Sequence, residues 1–148
     1  MKFFFIVLLG LLSCASIESQ SNEESKEYFF ENDRLEQRVV VKSVDSLSID
    51  FFLVTKDKLS GVSCELSGRA KLPLLEDNGV YYTPDPGIYE DVETNQFFLA
   101  KEYVYQVGMY HFNIAIDTDS QTKLYVNMFS SDTTSSCEFE FNSFLRRR

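Results

Sequence analysis

Residues 96 to 129 read QFFLAKEYVYQVGMYHFNIAIDTDSQTKLYVNMF. Apolar and polar residues alternate through three runs, 96–107, 109–117 and 122–129, separated by Gly108 and the polar stretch 118–121. A period of two puts one face of an extended chain on a core and the other toward water. Phe, Tyr, Val and Ile dominate these runs, and such side chains suit a pleated, half-buried surface. In the second run Tyr110, Phe112, Ile114 and Ile116 share the apolar face, opposite Met109, His111, Asn113 and Ala115. Three consecutive antiparallel strands are expected.

The same pattern recurs upstream. Strands are predicted at 37–44, at 47–55 with Leu47, Ile49, Phe51 and Leu53 on one face, and at 62–72. In the last of these Val62, Cys64, Leu66, Gly68 and Ala70 alternate with Ser63, Glu65, Ser67, Arg69 and Lys71. Gly68 in mid-pattern predicts a bulge or a close backbone approach. Asn78-Gly79 is a hairpin-turn signal and leads into a short strand at 80–83. The stretch PDPGIYEDVETN, 84–95, reads as the longest loop, and a final strand is predicted at 137–145. About eight short strands with no helical segment define an all-β chain, an antiparallel sandwich or barrel in one domain over 35–148.

The N-terminus has a different character. Residues 1–13, MKFFFIVLLGLLS, place Lys2 before an apolar run from Phe3 to Leu12. Ten apolar residues are too few to cross a hydrocarbon core of roughly 30 Å as a helix, but they fit the apolar region of a signal peptide. The following Leu11-Leu12-Ser13-Cys14 resembles the lipobox of bacterial lipoproteins. The resemblance implies cleavage before Cys14, acylation of its thiol and attachment to a membrane through the N-terminal lipid. Two or more acyl chains hold a protein stably where one does not. Ala15, rather than Asp, after the cysteine implies the outer membrane as the address within the cell envelope. The alternative is a cut after Ala15 that releases a secreted soluble domain. Residues 14–34 are polar and acidic, which predicts a tether, with the aromatics of Glu27-Tyr28-Phe29-Phe30 docking on the domain as a short first element.

The formal net charge is −9, which excludes nucleic acid as a natural partner. Cys64 and Cys137 form an even pair in an exported chain and predict a disulfide; two buried free thiols are the alternative. A bridge closing so long a loop stabilises by roughly 4 kcal/mol in the chain-entropy account. No cofactor or metal is implied: the lone histidine, His111, stands apart from both cysteines, and the sequence 117–121, DTDSQ, supplies few of the oxygens calcium needs. No nucleophile, zinc or phosphate-loop motif occurs.

Loops carry function more often than scaffold positions, and the loop region offers the best surface for a protein partner: Tyr81, Tyr82, Asp85, Tyr89, Glu90, Asp91 and Glu93 combine aromatic anchors with negative charge. Packing of the tyrosines beneath the loop is the alternative. Arg146, Arg147 and Arg148 read as a solvated basic end, with pairing to the protein's own acidic surface or to anionic headgroups as the alternatives. The expectation is a non-enzymatic envelope protein with a binding or structural role. A narrower version is an inhibitor or immunity-type protein acting on a basic hydrolase such as lysozyme.

Overall fold

A computed structural model describes residues 24–130, 139 and 143–147. The signal-like run, Cys14, Cys137 and Arg148 lie outside the described residues. The elements are β1 (Lys26–Glu31), β2 (Leu35–Asp45), β3 (Ser48–Asp57), β4 (Ser63–Lys71), β5 (Leu75–Asp77), β6 (Val80–Tyr82), β7 (Gly87–Asp91), β8 (Gln96–Val107), β9 (Tyr110–Asp117), β10 (Lys123–Ser130) and β11 (Ser143–Arg147). No helix occurs among the described residues.

Eight of these strands close on themselves. β1 to β4 pair in sequence, β8 to β11 pair in sequence, β11 returns to β1, and β4 meets β8 at Lys71 opposite Val104. Every pairing is antiparallel, so the architecture is an up-and-down barrel. Closure removes the exposed edges that an open sheet would present. The ninth strand of the sheet, β7, lies against the same edge of β8 as β4, one stretch further on, with Gly87 opposite Ala100 and Asp91 opposite Gln96. Residues 72–86 leave the wall between β4 and β7 and carry the separate β5–β6 hairpin.

The alternation read from the sequence fills the barrel. Val39 and Val41 on β2, Ile49, Phe51 and Leu53 on β3, Cys64 and Ala70 on β4, Tyr105, Phe112, Ile114, Leu124, Val126 and Leu145 form one buried cluster with Tyr28 and Phe139. Phe51, Tyr105 and Phe112 make a three-ring contact with centroids 5.0 to 5.6 Å apart. Gly68, directly opposite Phe51, provides the space: a Cβ there would overlap the Tyr105 ring. The glycine makes room for a side-chain ring, where a bulge or a close backbone approach was expected; the β3–β4 register runs through it unbroken. One polar pair is buried inside, with Thr55 Oγ1 donating to Gln37 Oε1 at 2.7 Å between directly opposed residues.

One sequence expectation is corrected: the stretch 84–95, read as loop, contains β7. The docking expected of the aromatics of residues 27–30 takes the form of a full wall strand over 26–31, between β2 and β11, anchored by the wholly buried Tyr28. Arg146 and Arg147 are part of β11 and not of a solvated end, and Arg146 pairs with the protein's own acids. The Asn78-Gly79 turn is as read: both residues have positive φ, 52° and 80°, and close the β5–β6 hairpin.

Candidate functional site

Between Lys71 and Lys101 the chain holds no basic residue and six acidic ones: Glu76, Asp77, Asp85, Glu90, Asp91 and Glu93. Pro73, Pro84 and Pro86 donate no backbone N–H, which favours departure from the wall. The β7–β8 ribbon then folds over the outer face of β9, β10 and β11. Register alternation gives it two distinct faces.

The inner face is a clasp. Tyr89 stacks on Phe98 at 5.8 Å and meets Tyr125 at 5.4 Å, while Phe144 packs against both Phe98 and Tyr125. Beside this aromatic cluster the Asp91 carboxylate is wholly buried. Lys123 reaches it at 2.9 Å, and the Arg146 guanidinium binds both its oxygens at 3.0 and 3.1 Å. Burial alone would raise the Asp91 pKa; the Arg146 and Lys123 hydrogen bonds outweigh it and hold the group far below the usual carboxylate range. Arg146 also donates to Glu93 at 2.8 Å. The Tyr89 hydroxyl is pushed well above its ordinary pKa by burial and then by its hydrogen bond to Glu102. Glu102 also accepts from Asn113 Nδ2 at 2.8 Å. The clasp explains why Asn113, Ala115 and Asp117, on the face of β9 expected to meet water, are buried.

The outer face is open. Ile88 and Glu90 project from β7, opposite Leu99 and Phe97 of β8. Ile88 is 74%, Val92 77% and Phe97 70% exposed. Tyr81 and Tyr82 are exposed on the neighbouring hairpin, and Asp85 borders a cleft of about 180 Å³ with Leu72, Pro73, Pro86 and Lys101. Of the fifteen exposed large apolar side chains among the described residues, nine lie between Leu74 and Leu99. That clustering separates the segment from the rest of the barrel surface, where such residues are scattered.

The candidate residues therefore divide. Tyr81, Tyr82, Asp85 and Glu90 stand on the open side. Tyr89 and Asp91 are turned into the clasp and leave the partner surface; Glu93 is exposed but engaged by Arg146. Ile88, Val92, Phe97 and Leu99 were not singled out in the sequence. The signal that could have found them is the parity of the ribbon once β7 is recognised as a strand.

Two other places gather polar groups beside a cleft or a turn. At one barrel end a cleft of about 120 Å³ is lined by Tyr28, Ile49, Tyr103, Ile116, Lys26 and Gln121. Tyr28 donates to the Gln121 carbonyl at 3.0 Å, and burial pushes its hydroxyl pKa up to about 12. Asp117 closes the β9–β10 turn by accepting from Asp119 N at 2.9 Å and from Ser120. The described residues contain no cluster of three or more metal-ligating side chains. Comparison with protein-family models, curated proteins and solved structures returned no match for this chain.

Proposed function

We propose that the protein is an exported, lipid-anchored β-barrel that binds a basic protein in the bacterial envelope through the open face of residues 72–100. The observation that carries this reading is the coincidence, in one segment, of nine exposed apolar side chains, four exposed acids outside the clasp (Glu76, Asp77, Asp85 and Glu90) and no base. Exposed apolar patches mark interaction sites, aromatic anchors dominate binding energy, and complementary charge speeds encounter and selects partners. The reading is of a binding protein rather than an enzyme, and what supports it among the described residues is a barrel interior filled by side chains beside an exposed apolar and acidic outer face. A basic hydrolase such as lysozyme is the partner class that the charge favours.

The test is calorimetric titration of lysozyme into the exported chain. The triple variant Glu76→Lys/Asp85→Lys/Glu90→Lys should bind at least 10-fold more weakly than the parent. A control of equal charge, Asp33→Lys/Glu36→Lys/Glu65→Lys, should lose far less. Equal losses in the two variants would reduce the interaction to net charge and reject the surface.

The address and the bridge share a second test. Leu11-Leu12-Ser13-Cys14 supports an N-terminal lipid on Cys14. A Cys64–Cys137 disulfide is supported by the burial of Cys64, by its not standing as a free thiol, and by the presence of Phe139 in the same core cluster. Intact-mass spectrometry of the protein expressed from its own signal in a bacterial host should show a chain beginning at Cys14 with acyl mass, and a gain of about two daltons on reduction, one hydrogen per thiol. A chain beginning at Ser16 without lipid would replace the anchored reading with a secreted one, and an unchanged mass on reduction would remove the bridge.

A further inference from the structure

We infer that the basic partner docks by adding an extended strand to the free edge of β7. The inference rests on the reading of residues 72–100 as the partner face and specifies how that face is used.

The barrel closes where Lys71 of β4 meets Val104 of β8, and β7 is attached to β8 outside that closure, so its second edge is not taken up by the wall. β7 pairs with β8 along Gly87–Asp91, and among the described residues it has no other ladder partner. Every second residue of such a strand turns its N–H and C=O away from the sheet, where a second extended chain can take them. Main-chain bonds then supply affinity and alternate side chains supply specificity.

Three features make this edge a receptor. First, it is rigid. Tyr89 and Asp91 alternate with the outward residues and are fixed beneath by the aromatic cluster and by Lys123 and Arg146. The strand does not have to be ordered on binding, which removes one cost of association. Second, its outer face is apolar and continuous with its neighbour, since Ile88 stands opposite Leu99 and Glu90 opposite Phe97. An added strand extends that face. Third, its charge is of one sign. Asp85 and Glu90 disfavour pairing with a second copy of β7 and favour a basic segment. The geometry even orders the partner's residues: a basic side chain opposite Glu90 and an apolar one opposite Ile88, two positions apart on one face.

The probe is the peptide acetyl-Thr-Lys-Thr-Val-Thr-Lys-Thr-amide, titrated into the exported chain by fluorescence anisotropy. Two N-methylated isomers accompany it, one blocked at the two Lys amides and one at the two central Thr amides. A strand on an edge uses only one of these alternate sets. The expected result is binding of the parent, with at least a 10-fold loss in one isomer and near-parent affinity in the other. If both isomers bind like the parent, strand addition is overturned while the acidic, apolar face remains the partner site. If the peptide fails to bind while lysozyme binds and depends on Glu76, Asp85 and Glu90, strand addition is likewise overturned alone. If neither binds, both readings fall together.

Discussion

Replacing Asp91 with asparagine is expected to lower the stability of the chain by about 3 kcal/mol, the lower end of the range for removing one partner from a buried ion pair. The Asp91 side chain is 0% exposed and Lys123 only 15%. With the carboxylate gone, Lys123 retains its position over the Phe98 ring at 5.2 Å but loses the buried counter-charge it held at 2.9 Å. Arg146 is 39% exposed and keeps its bond to Glu93, which is why the lower end applies. Urea unfolding of the two proteins measures the difference. A change below about 1 kcal/mol, the scale of an exposed pair, would show that the clasp does not hold the ribbon down.

The same group sets a pH signature. Its folded pKa is depressed, so its contribution is present above the ordinary carboxylate value near 4 and is lost as pH falls toward the depressed value. The parent should therefore lose stability below about pH 4 more steeply than Asp91→Asn, and the two curves should converge in strong acid.

Gly68→Ala is expected to cost about 2 kcal/mol, the middle of the range for overpacking a core. The added Cβ overlaps Cε2 of Tyr105 and would lie 3.0 Å from its Cζ. The ring cannot retreat freely, because Phe51 and Phe112 hold it from other sides at 5.0 and 5.1 Å between centroids. The cause is separable by a double-mutant cycle. In a Tyr105→Leu background the ring is absent, so Gly68→Ala should become nearly neutral. An equal cost in both backgrounds would assign the effect to the β4 backbone instead of to the ring.

The legible part of the fold is the part written in alternation. β8 was bounded at 96–107 as found, and β2, β3, β4, β9 and β10 lie within a few residues of their expected limits. The barrel closure was not legible, because it depends on the single meeting of Lys71 with Val104. β1 was legible in its aromatics but not as a wall strand, because Glu27 and Glu31 flank them and Tyr28 is its one wholly buried side chain. β7 was hidden by its prolines and acids. Nothing local marks Asp91 as an interior residue; it becomes one only because Arg146, 55 residues away, crosses to it. For the same reason Tyr89 and Asp91 were placed on the partner surface beside Tyr81 and Glu90, although strand parity sends the first pair inward and Glu90 outward. Ile88, Phe97 and Leu99 escaped notice because apolar residues in a strand ordinarily imply a core, and here the core lies on the other face.

The proposed partner face is tested by backbone hydrogen exchange of the protein, read by mass spectrometry with and without saturating lysozyme. Slowed exchange is expected in residues 74–99 alone, strongest across β7, with the β1–β2 wall unchanged. Protection centred on β1–β2 or on the barrel end around Tyr28 and Gln121, with 74–99 exchanging as before, would contradict it.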